Sequence, residues 1–301
     1  MAIKTGMGEK AFKVLNTILL IGLGISTLYP IFYMLVLSLN EGMDSMKGGI
    51  WLFPRKFTMF NYQFVLNNPL MRDAYVISIG RTAVGTVISI LVTALAAYGL
   101  SFRTLPYRKI LMTFIIIPMV FNGGLIPYYL QLRNLGLLNK FWVYVIPGAF
   151  VIFNMFVMRK FFMDLPDSLK ESAYMDGANH LQILFRIILP LSMPMLAALS
   201  LFTAVGHWND WFSGAFFVDN LRLIPIQTYL QRILSADSLN VLTGNNAMVQ
   251  EAAARQVQFK TMTVTSVKMA AVMCGTLPIL CVYPFLQKYF VKGMLVGSIK
   301  G

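Results

Sequence analysis

Glu171-Ser172-Ala173-Tyr174-Met175-Asp176-Gly177-Ala178-Asn179-His180-Leu181-Gln182-Ile183-Leu184-Phe185-Arg186-Ile187-Ile188-Leu189-Pro190 is a polar, small-residue stretch set between two strongly apolar runs. Its residues specify local structure. Asp164-Leu165-Pro166-Asp167-Ser168 supplies a break, and Ser168 with Glu171 reads as a Ser-x-x-Glu capping box that starts a short helix. Gly177 lets the backbone turn. Asn179 with Gln182 caps a second short helix, which has to stop before Pro190. The expectation is two short helices at an angle, with Ala173 and Ala178 giving a flat face to a partner, since a helix laid into a groove is a recurring docking mode. The plainer alternative is an amphipathic loop packed on its own bundle.

Outward from this loop, the chain is apolar almost everywhere. It is 57% hydrophobic and 12% charged, with a mean hydropathy of +0.67, a balance that a water-soluble domain of this length does not tolerate. A helix needs about 20 apolar residues to cross roughly 30 Å of hydrocarbon. The apolar runs are continuous, not alternating as in barrel strands. The fold class expected is an all-α membrane protein with six transmembrane helices, near 14–38, 74–101, 109–130, 140–162, 190–212 and 263–287. The run after Lys4, Lys10 and Lys13 is too long for a signal-peptide core and lacks a small-residue cleavage site, so it reads as a retained helix.

Basic residues orient the spans. With the N-terminus inside, the inner segments carry 13 Lys and Arg and the much longer outer segments carry 10. Both termini and the Glu171 loop are therefore expected in the cytoplasm. The net charge of +13 is spread over many loops, which suits lipid head groups and not nucleic acid. The two cysteines, Cys274 and Cys281, share one span, so neither a disulfide framework nor a metal-ligand cluster is expected.

Glu171, Ala173, then Gly177, nine residues, and Ile187-Ile188-Leu189-Pro190 together resemble the cytoplasmic loop of binding-protein-dependent ABC importer permeases. That family's pattern is Glu-Ala-Ala, a Gly, nine residues, and Ile-x-Leu-Pro; Ser172 here replaces the first Ala. The resemblance implies a type I importer permease architecture, with 1–301 as one permease domain, 164–190 as its ATPase-docking loop and 213–262 as an extracytoplasmic segment. It also implies that Glu171 meets a basic residue of an ATPase, with Asp176 and Gly177 on the helix that carries motion to the channel. A homologous second permease, two ATPase subunits and an extracytoplasmic solute-binding protein complete such an importer in a bacterial inner membrane. ATP and Mg would sit on the ATPase subunits, leaving no cofactor on this chain. Consistent with that, the chain has no Gly-x-x-x-x-Gly-Lys-Ser/Thr phosphate loop and no nucleophile–base constellation.

Trp208-Asn209-Asp210-Trp211 ends the fifth span. Aromatic rings beside amide and carboxylate groups stack on sugar faces and pair with hydroxyls, although an interfacial aromatic belt has the same composition. With Leu135-Gly-Leu-Leu-Asn139, Ala96-Ala-Tyr98-Gly99 and the tail Lys288-Tyr-Phe-Val-Lys-Gly293, this stretch resembles the carbohydrate-uptake, maltose-type branch. Asn122-Gly-Gly-Leu-Ile-Pro-Tyr-Tyr129 is similar to the subgroup for complex or acidic, uronate-type oligosaccharides. Arg81 and Lys268 lie inside spans but near the outer surface, where they are expected to snorkel; the alternative places them on a polar translocation path. Within 213–262, helices are expected over Leu223–Ile233 and Asn246–Gln256. The rival function is a self-contained secondary transporter or channel. It needs membrane-embedded carboxylates, and the acidic residues here fall in loops or at span ends.

Overall fold

The long helices contain the apolar runs and start several residues before two of them, Met7–Ser38 over 14–38 and Pro69–Ser101 over 74–101. A computed structural model describes residues 7–235 and 262–298, with side chains for 8–235 and 262–281. Among the described residues the only strand-like pairing is an isolated bridge between Asn40 and Phe57. The expected helix at Asn246–Gln256 lies outside the described residues. The chain packs as two compact units, one from Met1–Asn68 and Arg232–Thr276 and one from Pro69–Gln231 and Leu277–Gly301.

In the first unit, α1 (Met7–Ser38) is apolar and exposed on every face from Phe12 to Leu28. A helix that is hydrophobic all round needs an apolar solvent, here lipid. Its last turn buries Val36 and Leu37 with Ile50, against Tyr33 and Met269. Two short helices follow, α2 (Gly42–Ser45) and α3 (Phe60–Leu66). The chain around them is held by buried amides. Asn61 Nδ2 donates to the carbonyls of Ser38 and Asn40 at 2.9 and 3.0 Å, and Asn40 Oδ1 accepts from the Lys56 amide at 2.7 Å. Ser38 Oγ and the Tyr62 hydroxyl are 2.6 Å apart, and burial pushes the Tyr62 phenol up.

The second unit is organised on α4 (Pro69–Ser101), a helix of 33 residues with no proline beyond its first position. Small residues on its inner face (Gly85, Ser89, Thr93, Ala94, Ala97) let neighbouring helices approach closely. α5 (Arg108–Val120) and α6 (Leu125–Asn134) follow, bent by 115° at a break. Gly124 at φ 85° makes that break, and Asn122 Oδ1 accepts its amide at 2.9 Å. A 3₁₀ turn over Phe141–Tyr144 precedes α7 (Ile152–Asp164), which packs along α4. Next come α8 (Asp167–Met175) and α9 (His180–Leu191), the latter with a π-helical stretch over Leu184–Ile188. Pro190 has no N–H to return to the carbonyl four residues earlier, which accounts for that local widening. α10 (Met193–Asn209) turns from α9 by 85° and also packs along α4; α11 (Phe212–Phe217) and α12 (Ile226–Ser235) follow it. Finally, α13 (Val264–Ser298) belongs to both units.

Against the expectation of six spans, the described residues hold three unbroken helices long and apolar enough to cross a membrane, and up to five crossings if each bent pair is one span. The difference lies at 140–162. That stretch is a 3₁₀ turn, an irregular segment through Pro147 and Gly148, and only then a helix. Non-helical backbone at membrane depth is stable where it is covered by protein or lines a cavity. Val143, Tyr144, Pro147, Gly148 and Val151 do line one, described below.

The expected amphipathic helix at Leu223–Ile233 is present as α12, starting after Pro225. Its seat is tight. Ile226 N donates to Ser78 Oγ at 2.7 Å, and burial pushes the Tyr229 phenol up to about 12. A Cβ on Gly214 of α11 would meet the Thr228 hydroxyl and stand 2.8 Å from Pro225 Cδ. Gly214→Val is therefore expected to destabilise the protein by about 1–3 kcal/mol, the usual range for overpacking. Thermal unfolding in detergent checks this; an unchanged midpoint would mean that α12 yields freely.

Candidate functional site

The 164–190 loop folds as two helices on a glycine turn, as its residues dictate. α8 ends in a Schellman arrangement: Gly177 N donates to the Tyr174 carbonyl at 3.0 Å, and Ala178 N donates to the Ala173 carbonyl at 2.9 Å. Gly177 itself stands at φ 77°. The capping box at α9 is formed in both directions, Gln182 N to Asn179 Oδ1 and Asn179 N to Gln182 Oε1, each 2.9 Å. The expected box at Ser168 and Glu171 is not formed. α8 starts two residues earlier, with Pro166 at the N-cap and no side-chain cap. Proline is favoured near a helix start because its fixed φ suits the turn and its missing N–H costs nothing there.

The loop is rooted in the bundle. Ala173, Ile183, Leu184 and Ile188 join a core with Ala94, Ala97 and Tyr98 of α4, Met155, Met158 and Phe162 of α7, and Leu196 and Leu199 of α10. This corrects the expectation of a flat Ala173–Ala178 face: Ala173 is 6% exposed, and Ala178 packs partly against the same core. Lys170 turns to the same inner side and bonds Asp167 at 3.1 Å. Glu171, Asp176 and Gly177 are exposed, and among the described residues Glu171 makes no ion pair. Close by, the His180 ring stands edge-on to Phe102 at 5.3 Å and to Tyr174 at 5.3 Å, with Nδ1 2.7 Å from the Tyr174 hydroxyl. The sequence carried no signal for that cluster, which joins the loop to the end of α4.

A second locus is a cavity of about 410 Å³ lined from α4, α6, α7, α10 and the 143–151 segment. Arg81 and Asp210 are the charged side chains in its wall, with Tyr128, Tyr144, Asn154, Thr203 and His207 as polar neighbours. Arg81 is 1% exposed, so it does not snorkel. Its Nη2 pairs with Asp210 Oδ2, its Nη1 donates to the Asp210 carbonyl at 3.0 Å, and its guanidinium lies 4.5 Å from the centre of the Tyr144 ring. Asp210 Oδ1 accepts the Ser213 amide at 3.1 Å. Beside the pair, His207 fills the space left by Gly85, where a Cβ would stand 2.6 Å from Nε2. Lys268, the other intramembrane cation, lies in the first unit and donates to the Leu234 carbonyl at 3.1 Å.

Of the four residues expected on a sugar path, Asp210 lines the cavity. Trp208 is buried at 8%, Asn209 is exposed, and Trp211 is exposed with its carbonyl accepting from Thr228 at 2.7 Å; none of these three is in the wall.

The family model for the binding-protein-dependent transport system inner membrane component matches residues 2–296. The chain belongs to this family. The permease is 37% identical over 292 residues to protein LplC of Bacillus subtilis, covering 97% of this chain and 96% of that protein. It is 37% identical over 250 residues to the polygalacturonan/rhamnogalacturonan transport system permease protein YtcP of the same organism, covering 83% and 84%. Among solved structures it is similar to a bacterial ABC transporter involved in the import of the acidic polysaccharide alginate. There the TM-score is 0.87 at 30% identity, covering 96% of this chain and 100% of that one. Family membership removes the self-contained secondary transporter as a reading.

Proposed function

We propose that this permease forms, with a homologous second permease, the membrane path of an importer for an oligosaccharide of the acidic, uronate type. In this reading residues 1–301 act as one permease domain in the inner membrane, with both termini and the 164–190 loop on the cytoplasmic side. Two separate ATPase subunits dock on that loop and hold ATP and Mg. An extracytoplasmic binding protein delivers the sugar, and the 213–262 segment faces it. The importer works by alternating access, the ligands favouring different states of the channel.

The observation that carries the reading is the loop. Exposed Glu171, Asp176 and Gly177 sit on short helices whose other side (Ala173, Ala178, Ile183, Leu184, Ile188) is built into the bundle core. Such an arrangement passes a push on the loop to α4, α7 and α10. The charge of Glu171 is free to meet a basic residue of an ATPase. Support for the substrate comes from the YtcP and alginate-transporter likenesses and from the hydroxyl, amide and aromatic groups around Asp210.

The purified permease alone is expected to hydrolyse no ATP. Hydrolysis should appear when the ATPase subunits are added and rise several-fold with binding protein loaded with a uronate oligosaccharide. Hydrolysis by the permease itself, or stimulation that ignores the loaded binding protein, would overturn the assignment.

A further inference from the structure

Arg81 is dearer to keep than a channel wall requires. A buried ion pair is commonly no more stable than an apolar pair of the same volume, because both charges lose water. This one is also unevenly matched. A guanidinium has five N–H donors. Asp210 accepts from Nη1 and Nη2, Tyr144 covers one face, and among the described residues Nε is buried without a partner. The side that bears Nε is one that a carboxylate engages with two parallel bonds. The cation also stands in the wall of the 410 Å³ cavity, among groups suited to sugar hydroxyls: Tyr128, Asn154 and Thr203. Among the described residues its one anionic neighbour in that wall is Asp210.

We infer that Arg81 is the residue that reads the carboxylate of an acidic sugar. The incoming uronate engages the Nε side of the guanidinium and competes with Asp210 for it. While the cavity is empty, Asp210 keeps the guanidinium neutralised, so the wall carries no net charge and does not trap small anions. When the sugar carboxylate takes over, Asp210 is released towards the 210–213 turn, where Ser213 N already holds its other oxygen at 3.1 Å. Neutral sugars make no such exchange. Arginine suits the task better than lysine, since its planar fork matches a carboxylate and its charge survives burial. This inference rests on the oligosaccharide reading given above and adds a named residue and a charge preference to it.

The test uses the complete importer in proteoliposomes with its own binding protein. Uptake of a galacturonate trisaccharide is compared with uptake of its carboxyl-reduced, neutral form, at equal occupancy of the binding protein. In the double variant Arg81→Gln/Asp210→Asn, both charges are removed together and no buried charge is stranded. Its preference for the uronate, measured as the ratio of the two KM values, is expected to fall about tenfold to a hundredfold, the loss that goes with a charge-assisted bond. Asp210→Asn alone leaves Arg81 without its competitor and is expected to lower the KM for the uronate; Arg81→Lys, which keeps the charge but not the fork, should give an intermediate ratio. A merely structural pair predicts no change, with the ratio at its wild-type value in all three variants, and that result overturns the inference while leaving the importer reading standing. Uptake of neither sugar by the wild-type importer removes both.

Discussion

Gly177→Pro is expected to abolish capture of the ATPase subunits and, with it, all ATP-driven uptake. Gly177 stands at φ 77°, and its N–H closes the end of α8 on the Tyr174 carbonyl at 3.0 Å. Proline is fixed near −65° and has no N–H, so it loses that bond and forbids the turn outright. The loop then has to leave α8 in another direction. α9 cannot follow freely, because Ile183, Leu184 and Ile188 are fully buried in the bundle. The strain is therefore taken by α8, which displaces Glu171 and Asp176 from where a partner would meet them. Gly177→Ala keeps the N–H but puts a Cβ in the left-handed region, at a cost of about 1–2 kcal/mol, and should give partial loss. Glu171→Ala is the companion test. Glu171 is exposed and has no ion pair among the described residues, so its removal should leave the fold intact and weaken docking alone. Co-purification of the ATPase subunits reads all three variants. Wild-type recovery with Gly177→Pro would show that the loop is not the docking element.

The local features of this loop were legible because they depend on residues within a few positions of one another. Asn179 and Gln182 satisfy each other's backbone at a spacing of three, and Gly177 turns where no other residue does so cheaply. The start of α8 is ambiguous for the same kind of reason: Pro166 and Ser168 both offer a helix start, and only packing chooses between them. Ala173 shows the limit more clearly. A small residue on a short helix reads equally as a docking face or as a close-packing contact, and the choice belongs to α4 and α7. Arg81 is the largest miss. Its counter-charge lies 129 residues away, so no window around Arg81 shows why it can be buried, and snorkelling was the sensible local reading. The fourth span is harder to read for a physical reason. Hydropathy measures whether a segment belongs in the membrane, but not whether its backbone is helical there. The segment from 145 to 151 is apolar yet irregular, and Pro147, Gly148 and Val151 in it line the cavity.

That ion pair supplies the second large effect. Asp210→Leu strands a guanidinium that is 1% exposed, with Nε already lacking a partner among the described residues. It also removes the acceptor for Ser213 N at 3.1 Å. Breaking one side of a buried pair typically costs about 3–5 kcal/mol. The Asp210 side chain is 27% exposed against 2% for Arg81, so water reaches the acid and the lower half of that range is expected. For a protein whose whole stability is about 5–15 kcal/mol, this is a severe loss, seen as a lower unfolding midpoint in detergent and a poor yield of monodisperse permease. The Arg81→Met/Asp210→Leu double variant separates cause from consequence. If the stranded charge is the damage, the apolar pair should recover most of the lost stability, because no ion is left in the wall. Recovery of the midpoint without recovery of uptake would assign the pair to transport and not to holding α4 against the end of α10. A double variant as unstable as Asp210→Leu would instead place the damage in the 210–213 turn, with the guanidinium playing no part in it.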